Sequence, residues 1–288
     1  MPDPIAHEML DCVHRIAARR ALPPVRALHL PPVFARGSKD GEFCALELAD
    51  GSIGLSYVLL GDTLQALLAS PRAAREPGRP ALALAGVSVA ELAEGYARAD
   101  PVERTLGFAA VNAVSQCLFA RAGYLPEPAA DSIGAIDPRP GEQVGMVGLF
   151  PGLARRIVAA GARLVVVELD AALAGDRDGY RVTLDPGELA GCDKVLSTTT
   201  LLLNDTLDAV VAACSRARTL ALVGPGGGCV PDPLFARGVT QLGGTGIVDR
   251  AGFLAALAAG QPWGGFTRKY VIERDRYPGL QALLQRAG

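Results

Sequence analysis

The stretch EQVGMVGLFPGLARRIVAAGARLVVVE, from Glu142 to Glu168, decides the predicted fold of the chain. Val144–Leu149 is a short apolar run that predicts a buried parallel strand, and a turn at Phe150–Gly152 follows it. Leu153–Ala160 has helical spacing, and Leu164–Glu168 is a second apolar run. Strand, glycine-bearing turn, helix and strand in this order form half of a nucleotide-type binding unit.

The alternation of strands and helices continues toward the C-terminus. It predicts an α/β fold, with a Rossmann-like parallel sheet that has helices on both faces. The aromatic and basic segment Pro262–Leu280 is interpreted as a final strand and helix that close the sheet or return to the first domain. The other predicted elements are Lys194–Ser197, Asn204–Cys214, Leu220–Val223, Pro233–Ala236, Val239–Leu242 and Phe253–Ala259.

The N-terminal part predicts a smaller α+β domain, a hairpin with helices packed on it. Its hairpin signal is Asp50-Gly51 between two alternating apolar segments. A proline- and glycine-rich stretch then marks the domain boundary. We therefore expect domains at 1–125 and 141–288 with a linker at 126–140. The predicted elements are a helix from Ile5 to Arg20, strands Phe43–Leu48 and Ile53–Leu59, and helices Val89–Ala97 and Pro101–Arg121.

Composition excludes several classes of protein. The 288 residues carry a formal net charge of −2, so neither nucleic acid nor an anionic membrane surface is an expected partner. No apolar run reaches the ~18–20 residues of a membrane span, and the first residues lack the order of a signal peptide. We expect a cytoplasmic protein that binds a small molecule, with a homo-oligomer left open.

Metal-binding and nucleophile motifs are sparse. The six cysteines form no C-x-x-C pair, and all three histidines, His7, His14 and His29, lie near the N-terminus. The C-terminal half therefore cannot build a Cys/His metal site of the usual spacing. Cys229 lies in a glycine-rich loop, but no nearby histidine could activate it, so an inert thiol is the favoured interpretation. No catalytic residue is assigned.

The first candidate site surrounds the turn that contains Gly145, Gly148 and Phe150. The spacing of its glycines is not the G-x-G-x-x-G of a dinucleotide site. However, the turn follows a strand, opens a helix and precedes Glu168 by about twenty residues, which is where an acid binds a ribose diol. The alternative for Glu168 is an exposed strand-end carboxylate or a partner of an arginine.

Three further segments should reach the same edge of the sheet. In STTTLLLNDT, hydroxyl groups and Asn204 at a predicted helix start suit ligand oxygens, although ordinary helix capping explains them as well. The loops GPGGGCVP and GGTG bring bare backbone to this edge. Asn112, within an apolar helix stripe, is either a satisfied structural amide or a site residue. The candidate residues are Thr198, Thr199, Asn204, Gly224, Pro225, Gly226, Gly244, Thr245 and Asn112.

The order of these motifs resembles a known family. VGMVGLFP, VVVELD, STTTLLLNDTLD and LVGPGGGCVPDPLFARGV with QLGGTGIVD are similar to the heavy-metal-chelation family of bacterial and archaeal proteins, whose C-terminal half is a domain of unknown function. GLSYVL and GFAAVNAVSQ are similar to its N-terminal domain. The resemblance implies an N-terminal domain like the capping domain of enolase, a Rossmann-like C-terminal domain and an active site in the cleft between them. The chain departs from the family at Gly226, where a serine hydroxyl is usual, and at the first hairpin, VFARGSKDGEFCALEL.

Three functions remain open at this point. The first is a metal or metal-chelate binder whose oxygen donors are Glu168, Asp170, Asn204 and Thr199, with a divalent metal as ligand. The second is an S-adenosylmethionine-dependent transferase, which tolerates the relaxed glycine spacing better than an NAD-dependent enzyme does. The third is a non-catalytic module that binds a metabolite.

Overall fold

A computed structural model describes residues 4–32, 42–69, 73–76, 79–82, 84–129 and 136–288. The described chain contains two β-sheets that share helices. Part of the departing hairpin segment, at 33–41, and part of the predicted linker, at 130–135, lie outside the described residues.

The first sheet is antiparallel, with the order β3-β2-β1-β5-β4. Gly51 adopts a φ of +89° in the predicted hairpin turn, and the amide of Ser52 donates to Asp50 Oδ1 over 3.0 Å. The predicted hairpin and helices are confirmed, whereas four of the elements were not predicted (β1, α2, β4 and β5). The elements are α1 (Pro4–Arg19), β1 (Val25–His29), β2 (Phe43–Leu48), β3 (Ile53–Tyr57), α2 (Thr63–Ala69), β4 (Ala73–Glu76), β5 (Arg79–Leu82), α3 (Val89–Ala93) and α4 (Pro101–Arg121).

The second sheet has nine strands in the order β6-β14-β13-β12-β11-β7-β8-β10-β9. The strands from β13 to β10 are parallel, and β14, β6 and β9 are antiparallel. The predicted α/β class is confirmed. The elements are β6 (Glu127–Pro128), β7 (Gln143–Val147), α5 (Pro151–Ala159), β8 (Arg163–Val167), β9 (Gly175–Arg177), β10 (Tyr180–Thr183), β11 (Lys194–Thr198), α6 (Leu207–Ala213), β12 (Thr219–Val223), α7 (Asp232–Ala236), β13 (Gln241–Ile247), α8 (Arg250–Ala259), β14 (Thr267–Glu273) and α9 (Leu280–Arg286).

Two predictions about this sheet were wrong. Asn204 does not begin a helix, because Thr199–Leu202 forms a 3₁₀ turn and α6 starts at Leu207. The segment Gly243–Gly246 is not a loop but part of β13, where antiparallel β14 supplies the partners for its backbone. The predicted linker also contributes the edge strand β6, which pairs with β14.

Helix α4 lies between the two sheets and is buried along most of its length. Asp100 caps it by accepting from the amides of Val102 and Glu103 at 2.9 Å. All six residues of β2 are buried, because α4 packs near one face while α8 and Trp263 cover the other. Within the described ranges, no helix has the length and hydropathy that a bilayer crossing requires.

Candidate functional site

A cavity of about 830 Å³ lies between the first hairpin and the carboxyl edge of the second sheet. Its lining extends from Glu168, after β8, to Lys269 in β14. These strands are five positions apart, so the lining spans roughly 24 Å at about 4.8 Å per strand. The cavity is therefore long enough for a ligand with two chemically different ends.

Most of the predicted site residues line this cavity. On it lie Gly148, Phe150, Glu168, Thr198, Thr199, Asn204, Gly224, Pro225, Gly244 and Thr245. They come from five neighbouring strands, at or near the carboxyl ends, because the carboxyl ends of parallel strands share one edge.

Three predicted residues lie elsewhere. Gly145 is inside β7, where a Cβ would come within 2.6 Å of Leu189 Cδ2. Gly226 packs against Phe108 and Thr199. Asn112 is completely buried and donates through Nδ2 to the carbonyls of Leu55, at 2.7 Å, and Gly226, at 3.1 Å. Asn112 therefore links the first hairpin to the loop after β12 through these two hydrogen bonds.

The loop after β12 is held by one face of α4. Besides Asn112, Gln116 donates to the carbonyl of Gly228 at 2.8 Å, and Ser115 accepts from the amide of Val230 at 3.0 Å. A Cβ on Gly227 would overlap the carbonyl of Gly243, so the loop and β13 approach too closely for a side chain. The glycines of this loop are therefore explained by close packing of backbone against backbone and against α4.

The turn after β7 is organised by Glu168. Its carboxylate accepts from the amides of Leu149 and Leu169, and the amide of Gly148 donates to the carbonyl of Val167. The amides of Leu153 and Ala154, at the start of α5, donate to the carbonyl of Phe150. These N–H groups already have partners within the protein, so they are not available to a pyrophosphate.

The hydroxyl segment after β11 forms local hydrogen bonds as well as lining the cavity. Thr198 caps the 3₁₀ turn by accepting from the amide of Thr200 at 3.2 Å, and the two hydroxyls are 2.9 Å apart. Asn204 Oδ1 accepts from the hydroxyl of Thr206 at 2.6 Å. Thr199 is 4% exposed and packs against the glycine loop. Both interpretations of this segment, capping and a place at the cavity, are therefore compatible with the structure.

Sequence reasoning missed the contribution of the first hairpin to the cavity. Glu42 and Tyr57 line it together with Glu168, which is near enough for its charge to act on Tyr57. Burial, with the nearby charges of Glu42 and Glu168, raises the pKa of the Tyr57 hydroxyl, which therefore stays protonated and can donate a hydrogen bond. The signal was available in GLSYVL, where Tyr57 ends a strand that the hairpin carries toward the second sheet.

Sequence reasoning also missed the end of the cavity that β13 and β14 form. Trp263, Thr267 and Lys269 line this end, in a segment for which the sequence favours a final strand and helix that close the sheet or return to the first domain. Alternation along β14 places Thr267, Lys269 and Val271 on one face, but which face meets the cavity depends on the partner strand β13, whose residues Gly243–Gly246 were predicted as a loop.

Two family profiles match the chain, and both are described as "Putative heavy-metal chelation". One covers residues 131–274 and the other residues 41–115. The chain belongs to this family. It is 29% identical over 181 residues to an uncharacterised protein of Methanocaldococcus jannaschii, a match that covers 60% of this chain and 67% of the relative.

Two solved structures of proteins of unknown function from the heavy-metal-chelation family share the fold. The protein from Pyrococcus horikoshii has a TM-score of 0.62 at 20% identity, covering 94% of this chain and 98% of that one. The protein from Desulfitobacterium hafniense has a TM-score of 0.64 at 20% identity, covering 93% and 99%. The likeness of the first domain to the capping domain of enolase stays a prediction.

The cavity does not fit a soft metal ion bound by protein side chains alone. None of its described lining residues is a cysteine or histidine, the side chains that soft ions prefer. The thiol of Cys229 is buried, and burial raises its pKa to about 12, so it is not a thiolate at neutral pH. Asp170, a predicted donor, caps a 3₁₀ turn outside the cavity, and no group of three metal-binding side chains occurs in the described chain.

Proposed function

We propose that this member of the heavy-metal-chelation family binds a small organic molecule in the cavity between the first hairpin and the sheet edge. The observation that carries the proposal is the lining itself, an apolar wall with a few polar groups, as in small-molecule sites. Exposed Leu169 and Leu184 widen the apolar wall at the end that also contains Glu168. Large exposed apolar side chains beside a cavity are typical of ligand sites.

The polar groups at this end favour a ligand that donates hydrogen bonds. Glu42 and Glu168 supply carboxylate oxygens from two different sheets, and Tyr57 supplies a hydroxyl. Ionised carboxylates are acceptors only, so ligand hydroxyl or amine groups suit them. The family description would then apply to an organic ligand that itself chelates a metal, with the metal as cargo of that ligand.

The fluorescent probe N-phenyl-1-naphthylamine, which is neutral and aromatic, tests the proposal directly. We expect saturable one-to-one binding, at least about fivefold weaker in Leu60→Trp, because Leu60 lines the cavity and a larger side chain would fill it. Leu125→Trp is the matched control, since Leu125 is 78% exposed and outside the lining. Equal probe binding by both variants would contradict the proposal.

The link to metals has its own test. We expect that nickel, copper or zinc alone gives no stoichiometric heat on titration into the protein, because the described lining residues include no cysteine or histidine. One equivalent of tightly bound metal without any organic ligand would show that the protein chelates metals directly.

A second candidate is an enzyme that uses an adenosine-bearing cofactor, S-adenosylmethionine before NAD. The position of Glu168 favours it, since the carboxylate lines the cavity at the end of β8 among apolar residues that could flank an adenine. Glu168→Gln keeps an acceptor for Leu149 but removes the charge. This variant should bind S-adenosylmethionine about tenfold more weakly, as measured by calorimetry. If none of S-adenosylmethionine, S-adenosylhomocysteine and NAD binds the unaltered protein, the second candidate fails and the first remains.

A further inference from the structure

We infer that the β13–β14 end of the cavity is a separate subsite for a carboxylate of the ligand, and that Lys269 binds this group. The inference rests on the proposed function in one respect, that the cavity takes a small molecule. It concerns the end of the cavity that is roughly 24 Å from Glu168 at about 4.8 Å per strand.

Lys269 is an exposed side chain on the cavity and has no ion-pair partner in the described structure. It is the single basic residue among the described residues of the lining. Lys194 shows the contrast, because it is buried, bonds the carbonyl of Asp137 at 2.6 Å and pairs with Glu142 at 2.9 Å. An ammonium group that lies on a largely apolar cavity and forms no ion pair within the described ranges is available to a ligand.

Two hydroxyl groups accompany the ammonium. Thr245 lies directly opposite Lys269 in the antiparallel ladder, and Thr267 is two residues before it on the same face of β14. Directly opposite residues have Cβ atoms about 5 Å apart, so one carboxylate can reach both the ammonium and a threonine hydroxyl. All three residues line the cavity.

The same face of β13 and β14 continues from this group to a buried hydrogen-bond acceptor. The next pair on this face is Gly243 opposite Val271, and the pair after it contains Gln241. Gln241 Oε1 is buried, lines the cavity region and accepts no hydrogen bond from the described residues. Gln241 is four residues from Thr245, roughly 14 Å at 3.4 Å per residue. This face of the sheet therefore suits an elongated ligand with its carboxylate at the Lys269 end.

A carboxylate fits this end better than a phosphate does. One ammonium offsets the single charge of a carboxylate, whereas a phosphate monoester carries about −1.5 to −2 at neutral pH. The described part of the lining contains no arginine that could bind a phosphate through two parallel N–H groups.

A matched pair of probes tests the inference. The compound 1-anilinonaphthalene-8-sulfonate has the ring system of N-phenyl-1-naphthylamine plus one monoanionic group that stands in for the carboxylate. Lys269→Gln should weaken binding of the sulfonate probe about fivefold to tenfold and change the affinity for the neutral probe less than twofold. The control is Arg268→Gln, which removes the same charge one residue away on the opposite face and outside the lining. This control variant should change the affinity for neither probe by more than twofold.

The outcomes separate the two proposals. If the unaltered protein binds neither probe, the proposed function itself fails. If both probes bind and Lys269→Gln weakens neither or both equally, the subsite is wrong while the proposed function stands. Lys269→Arg should restore at least half of the lost selectivity for the sulfonate, and 0.5 M salt should weaken the sulfonate probe in the unaltered protein more than in Lys269→Gln. Melting temperatures within about 2 °C of each other would establish that all variants are folded.

Discussion

The two glycine-bearing turns of the second sheet look alike in sequence but differ in what surrounds them. The turn after β7 opens onto the cavity, and Glu168 fixes its backbone. The loop after β12 is clamped by Asn112 and Gln116 of α4, and its later glycines face protein rather than the cavity. A glycine at the ligand edge of a sheet can therefore serve a site or serve packing, and only its neighbours distinguish the two.

The largest effect that this comparison predicts is at Gly227. A Cβ there would overlap a backbone carbonyl of β13, which cannot move aside as a flexible side chain can. Gly227→Ala should lower the free energy of unfolding by about 3 kcal/mol, measured by urea denaturation. A loss below about 1 kcal/mol would mean that the loop is less tightly held than the structure indicates.

The next effect is at Asn112. Asn112→Ala removes two hydrogen bonds and leaves the carbonyls of Leu55 and Gly226 buried without a donor. We expect a loss of about 2 kcal/mol in unfolding free energy. Asn204→Ala is the comparison, since half-buried Asn204 accepts one hydrogen bond from Thr206, and it should cost under about 1 kcal/mol. Equal losses of unfolding free energy in the two variants would show that the loop held by α4 and the cavity wall do not differ in this respect.

Glu168→Gln probes the turn after β7. The amide oxygen of glutamine can still accept from Leu149, but the charge that strengthens this bond is lost. We expect about 1 kcal/mol of destabilisation. Hydrogen exchange of the Leu149 amide should become faster while the amides of β12 are unaffected. Slower exchange at Leu149 would contradict the role given to the carboxylate.

The smallest effect is at Gly152, in the first turn of α5. A Cβ there meets no atom within 4 Å. Gly152→Ala should raise the unfolding free energy by about 0.5 kcal/mol, because alanine loses less backbone entropy in a helix. Together with Gly227→Ala, this variant distinguishes glycines that the fold requires from glycines that it tolerates. If Gly152→Ala were destabilised, the turn would be more crowded than the structure indicates.

The sequence was sufficient to predict the α/β class, the hairpin and most strands, because alternation and periodicity are local properties. It was misleading at Gly243–Gly246, where the antiparallel partner β14 turns a glycine run into a strand. It was uninformative about Lys269 for the same reason, since the face of a strand is known only once its partner is known. The role of Asn112 depended on contacts with residues as far as 114 positions away, which no local pattern contains.

The polar side chains of α4 that contact the second sheet's loops, Arg104, Asn112, Ser115 and Gln116, also have a consequence for folding during synthesis. Arg104 pairs with Asp205 and Asn112 bonds Gly226, so the helix finds these partners 101 and 114 residues downstream. During synthesis the helix leaves the ribosome well before those loops are made. Until then its polar side chains are solvated or covered by a chaperone. Closing such distant contacts is slow, so the docking of the loops onto α4 should be a late event in folding.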